Sequence, residues 1–103
     1  MTIDDATTDG ERWLVIDGRR WRRTDPALPD DVQAALRSHL GRGRGAVRAA
    51  KAAKDPRAEA AARRRVDLAK HGLGERGPRW WDEPEDDRIA RANAAIRELD
   101  ALG

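Results

Sequence analysis

Among the side chains most used as nucleophile or base, this chain has one serine (Ser38), two histidines (His39 and His71), and no cysteine or tyrosine. A nucleophile needs a base and an orienting group within hydrogen-bond reach. Ser38 and His39 are adjacent in a run that reads as helix, so their side chains diverge. His39 flanks the apolar stripe of that helix and reads as a packed helix residue. A catalytic role would require it to be buried in a polar cleft beside a carboxylate. His71 falls near the end of a second predicted helix, where the dipole favours a cation. No ligand spacing around either histidine supports a metal site. The absence of cysteine removes disulfides, iron–sulfur clusters and thiolate zinc. The expectation is a protein that is not an enzyme, with no catalytic residue, no metal and no cofactor.

Charge offers more. There are 18 Arg against 3 Lys, although a GC-rich codon bias would produce much of that excess beside so much Ala and Gly. The distribution is more informative than the total of +2. Residues 37–79 carry 13 basic and 4 acidic side chains, while residues 1–36 carry 5 against 8 and residues 80–103 carry 3 against 7. A basic middle thus lies between acidic ends. Arg37, Arg44, Arg48 and Lys51 follow one flank of the first predicted helix, and Arg63 and Lys70 add charge from the second. These six are the candidate contacts to a nucleic-acid phosphate backbone, of DNA or RNA. Two plainer readings compete: a solvated basic face, or neutralisation by Asp82-Glu83 and Glu85-Asp86-Asp87. No recognition-helix, RNP or zinc-finger motif accompanies the patch.

Gly41-Arg42-Gly43-Arg44-Gly45 suggests a phosphate-cradling loop, but no strand precedes it and no Lys-Ser/Thr pair follows. It also resembles a very short Arg-Gly tract of the RNA-binding kind. Against both, the apolar stripe Val32, Leu36, Leu40, Gly43, Val47 and Ala50 keeps helical phase through the glycines. One helix is therefore expected, with Gly43 as a point of close backbone approach. A loop splitting the helix at 41–45 is the competing reading, since each Gly costs ~1 kcal/mol relative to Ala.

The elements that must position these residues are legible. Residues 1–10 read as a disordered tail. In ERWLVIDGRRWRRT, Asp17-Gly18 between two short runs signals a β-hairpin over 11–23, because a type I′ turn needs positive φ at both central positions. The pairing predicts Leu14, Ile16 and Trp21 on one face, packed on the helices. It leaves Trp13 on the other, partly exposed, with an arginine near its ring. Trp13, Arg20 and Arg22 are the candidate contacts for a protein partner, the alternative to nucleic acid; the C-terminal helix is another such surface. Two prolines make 24–29 a connector. Helices are expected at about 29–54 and about 56–72, antiparallel, with Asp55 capping the second and Gly72 or Gly74 ending it. Residues 73–81 form a tryptophan loop that folds back on the domain. Residues 82–103 form an acidic peripheral helix with Ile89, Ala92, Ile96 and Leu99 on one side. The fold class is α+β: an N-terminal β-hairpin packed on an antiparallel helical hairpin, plus a short C-terminal helix.

Leu, Ile and Val total 16 and Ala 19, with no Phe, so the core must be thin and close-packed. Marginal stability follows, which a partner or a weak homodimer would support. The acidic N-terminus has no secretory h-region and no apolar run approaches ~18 residues, so a cytoplasmic protein without membrane contact is expected.

The spaced segments Asp17-Gly18-Arg19-Arg20-Trp21-Arg22, Thr24-Asp25-Pro26-Ala27-Leu28-Pro29, the run from Arg63 to Lys70, and Leu73-Gly74-Glu75-Arg76-Gly77-Pro78-Arg79-Trp80-Trp81 occur in an order that resembles a family of small bacterial proteins. That family, widespread in high-GC genomes, often carries the label "biopolymer transporter Tol". The resemblance covers about residues 11–81 and implies no catalytic residue and no cofactor. The chain departs from the family pattern at Arg42-Gly43-Arg44-Gly45-Ala46-Val47, where a Met-Ala-Arg-Arg-Ala-Val type of segment is usual. It departs again in its acidic extension after Trp81.

Overall fold

Asp17 and Gly18 hold φ of 51° and 78°, the left-handed pair that a type I′ turn demands. They join β1 (Trp13–Ile16) to β2 (Arg19–Arg22) in an antiparallel ribbon with Leu14 opposite Trp21 and Ile16 opposite Arg19. The computed structural model describes residues 10–103. The predicted tail 1–10 therefore lies outside the described residues except for Gly10, whose carbonyl accepts from Arg23 Nε at 2.6 Å.

After Pro29, α1 (Asp30–Ala52) runs unbroken through Gly41, Gly43 and Gly45. A Cβ on Gly43 would lie 2.8 Å from Val66 Cγ2 and 3.2 Å from Val66 N, whereas one on Gly41 would meet nothing within 4 Å. Gly43 is thus where two helix backbones come close. α1 ends in a Schellman turn with Lys54 at φ 55°; the Asp55 amide donates to the Ala50 carbonyl at 3.0 Å. Asp55 then caps α2 (Pro56–Gly72), its Oδ1 accepting from the Ala58 amide at 3.1 Å. α2 closes the same way, with Gly74 at φ 80° and the Glu75 amide donating to the Lys70 carbonyl at 2.9 Å.

The C-terminal helix is not peripheral. α3 (Glu85–Leu102) buries Ala92, Ala95 and Leu99 in the same core as Leu28, Val32, Leu36, Leu40, Ala69 and Leu73. Gly72 makes the room: a Cβ there would lie 2.8 Å from Leu36 Cδ2 and 3.0 Å from Ala95 Cβ. Polar contacts hold both ends of α3. Arg88 of its first turns approaches Asp25, a carboxylate only 1% exposed, with Nε 2.9 Å from Oδ2. The Nε–H does not align on that oxygen, so the contact is an ion pair more than a hydrogen bond. Arg88 Nη1 also donates to the Trp80 carbonyl at 3.0 Å. At the other end no basic residue of α3 itself meets the negative dipole pole. Arg42 of α1 and Arg65 of α2 supply that charge, each donating to the Gly103 carbonyl at 2.8 Å.

The hairpin corrects a second expectation. Leu14, Ile16 and Trp21 do not bury against the helices; they remain 37%, 53% and 39% exposed. The opposite face docks instead, Trp13 meeting Trp81 edge-on at 5.6 Å and Trp81 meeting Trp80 edge-on at 5.1 Å. Trp81 offers Trp13 a large aromatic partner. The helix surface facing the other side presents Arg44 and Lys70, whose charges are costly to cover. The loop after α2 secures the hairpin base. Trp80, buried within the 3-10 turn Trp80–Asp82, donates Nε1–H to the Arg23 carbonyl at 3.0 Å. The Asp25 amide donates to the Leu73 carbonyl at 2.9 Å, and Thr24 Oγ1 to Glu75 Oε2 at 2.7 Å. No helix among the described residues is long and apolar enough to cross a membrane.

Candidate nucleic-acid interface

The antiparallel α1–α2 pair exposes, on the side away from α3, a shallow groove floored by Val47 and Val66. Arg44 and Arg48, one turn apart on α1, line one wall; Arg63 of α2 and Arg76 of the following loop line the other. Arg63 is held by Glu59, with Nε to Oε2 at 2.8 Å, and Arg76 by Asp67, with Nη1 to Oδ1 at 2.9 Å. Arg44 and Arg48 form no ion pair with any described residue. The groove therefore has two braced cations facing two that no described residue neutralises.

Arg44 also lines two adjoining clefts. One contains Arg37, Thr24 and Glu75; Arg37 donates to Thr24 Oγ1 at 3.3 Å. The other lies beneath the hairpin and contains Lys70. Of the six residues nominated by spacing, Arg37, Arg44, Arg48, Arg63 and Lys70 thus border one connected basic surface. Lys51 is exposed in the last turn of α1 and does not line the groove. Arg76 belongs there too, and sequence reasoning missed it because loop residues carry no periodicity. Lys70 has its pKa lowered, chiefly by burial and then by the charges of Arg76 and Arg44, with Glu75 opposing. Its ammonium sits 5.3 Å from the Trp21 ring centroid.

The acidic start of α3 does not cover this surface. Among the described residues no ion pair joins Glu85, Asp86 or Asp87 to any arginine or lysine.

The residues nominated for a protein partner sit otherwise. Arg20 stacks on Trp13 with its guanidinium carbon 4.2 Å from the ring centroid, supplying the cation expected there. Arg22 turns inward and donates from Nη1 to the carbonyls of Gly74, Gly77 and Pro78 at 3.3, 2.9 and 3.2 Å. Burial, followed by the nearby charges of Arg79 and Arg91, lowers its pKa. Arg22 is therefore a brace for the tryptophan loop.

His39 is buried beside the carboxylate of Asp100, Nε2 to Oδ1 at 2.8 Å. Arg65 Nη1 lies 2.8 Å from Nδ1. A guanidinium can only donate, so Nδ1 accepts and Nε2 carries the proton to Asp100. Both ring nitrogens are engaged, and the imidazole ties α1 to α2 and α3. His71 Nδ1–H donates to the Asp67 carbonyl at 2.8 Å within its own helix.

Against protein families, curated proteins and solved structures, the chain finds no match.

Proposed function

We propose that this protein is a non-enzymatic binding module that engages the phosphate backbone of DNA or RNA along the α1–α2 groove. One observation carries the reading: Arg44, Arg48, Arg63 and Arg76 converge on a single groove, and neither Arg44 nor Arg48 has a carboxylate partner among the described residues. Four cations spaced along a groove, two of them paired with Glu59 and Asp67 and two with no carboxylate partner among the described residues, leave a net positive charge that suits a polyanion, whose binding releases condensed counterions. The glycine-bearing segment contributes as helix: it holds Arg44 on a rigid wall while Gly43 brings that wall close to α2.

A salt titration of binding to mixed-sequence DNA and RNA tests this. Affinity should fall steeply with salt. The double variant Arg44→Glu/Arg48→Glu should bind more weakly, with the log–log slope shallower by about 1 or more because fewer phosphates are neutralised. Absence of binding at low salt, or binding insensitive to salt, overturns the reading. The alternative is a protein adaptor using the Trp13 face or α3. It has less free surface, because Trp13 packs on Trp81 and α3 turns its apolar side into the core. A pull-down comparing Trp13→Ala with Arg44→Glu/Arg48→Glu separates the two: adaptor binding is lost with the first, polyanion binding with the second.

A further inference from the structure

The cleft beneath the hairpin has a volume of about 380 Å³. Leu14, Ile16 and Trp21 supply an apolar wall, and Arg44 and Lys70 stand opposite. We propose that this cleft accepts an unpaired nucleobase, so that the groove's ligand is a single strand and not a duplex. The inference rests on the phosphate-binding reading of the groove and goes beyond it to the form of the ligand.

Three observations favour this occupant. First, a chain with so little apolar area leaves three large side chains on one face of its ribbon partly exposed, 37% to 53%, with the Arg19 guanidinium carbon and the Lys70 ammonium 4.8 and 5.3 Å from the Trp21 ring centroid. An apolar surface facing cations suits a ligand that is flat and apolar in one part and anionic in another. Second, charge at the cleft is one-sided. Glu75 is the sole carboxylate among the described lining residues, and it accepts from Thr24 Oγ1 at 2.7 Å. Burial, and then the charges of Arg76 and Arg44, hold Lys70 below its ordinary pKa, and an incoming phosphate would offset those two like charges. Third, Arg44 lines both cleft and groove, so a phosphate on Arg44 carries its attached base to the mouth of the cleft. In a duplex that base is paired and stacked. The cleft lies between the ribbon residues Leu14, Ile16 and Trp21 and the helix residues Arg44 and Lys70, and a splayed base is free to enter it. The wall is apolar, so the recognition is stacking and tolerates any base.

The test uses the full chain and three probes of equal length, roughly 12 nucleotides, within the range one small module covers: oligothymidylate, the same strand made abasic, and a duplex. Oligothymidylate should bind about 5- to 150-fold tighter than the abasic strand, the range expected of one stacked base. It should also bind tighter than the duplex and quench tryptophan emission. Trp21→Ala should erase the advantage over the abasic strand and the quench. Trp21→Phe should restore the advantage, and Ile16→Ser, at an exposed site, should reduce it independently. Equal binding of base-bearing and abasic strands, or a duplex preferred over the single strand, overturns this inference and leaves the groove reading intact. Loss of binding to all three probes overturns the groove reading itself. Polyglutamate, or vesicles of phosphatidylserine, bound as tightly as oligothymidylate and with the same dependence on Trp21 would overturn the nucleobase assignment.

Discussion

Gly41 and Gly43 stand two residues apart in one helix and do opposite things. Both lower helix propensity by ~1 kcal/mol relative to Ala. Gly41 faces open space, so Gly41→Ala should stabilise the protein by up to about 1 kcal/mol. At Gly43 the new methyl would meet Val66 Cγ2 and, 3.2 Å away, the Val66 backbone nitrogen. The side chain can turn aside; the backbone cannot, so the helices must separate. Overpacking of that kind costs about 1–3 kcal/mol and outweighs the propensity gain. Gly43→Ala should therefore destabilise, with the opposite sign to Gly41→Ala in the same urea titration. The stripe that keeps phase through Gly43 made this legible in the sequence. The Asp25–Arg88 pair was not: it joins a connector to the last helix, and no local pattern links them. Removing one partner strands a buried charge, so Arg88→Ala should cost about 3–5 kcal/mol, read as a drop in the urea midpoint.

At the scale of elements, the ends of helices were plain in the sequence and their partners were not. Pro29, Asp55-Pro56 and Gly74 act locally through fixed φ, side-chain caps and left-handed turns, and the helices begin and stop beside them. The hairpin register followed from Asp17-Gly18 alone. Which face of the hairpin docks was decided at long range, by Trp81 on one side and by Arg44 and Lys70 on the other. The same holds for α3. Its stripe of Ile89, Ala92, Ile96 and Leu99 marks one apolar side without saying what covers it; Gly72 lets α3 approach until small residues suffice. The groove arginines on α1 and α2 were readable from helical spacing. Arg76 and the open Trp21 cleft depended on how loop and ribbon fold over. Leu99→Ala tests the status of α3. Leu99 is fully buried, so the variant should lose about 2–5 kcal/mol in thermal or urea unfolding; a truly peripheral helix would lose almost none.

For the whole molecule, the phosphate-binding reading predicts that stability and affinity depend on pH with opposite signs, and Lys70 is where they meet. Its folded-state pKa lies below the ordinary value of about 10.4 because burial, Arg76 and Arg44 disfavour the ammonium. Between the folded value and the unfolded one, the unfolded chain binds more protons. Stability of the free protein therefore rises with pH across that alkaline window, and the gain is complete once both states have lost the proton. A bound phosphate reverses the local balance: it favours the ammonium, raises the Lys70 pKa, and makes binding take up a proton. Affinity should then fall with pH through the free protein's Lys70 pKa, below the pH at which an ordinary lysine would titrate. Oligodeoxyadenylate is the suitable probe, because its bases do not ionise in that range. Lys70→Arg should flatten both profiles, since a guanidinium stays charged throughout. Paired titrations of stability without ligand and of affinity with it check the opposed slopes. If both run in the same direction, or if Lys70→Arg leaves the affinity profile unchanged, Lys70 is not in contact with the phosphates.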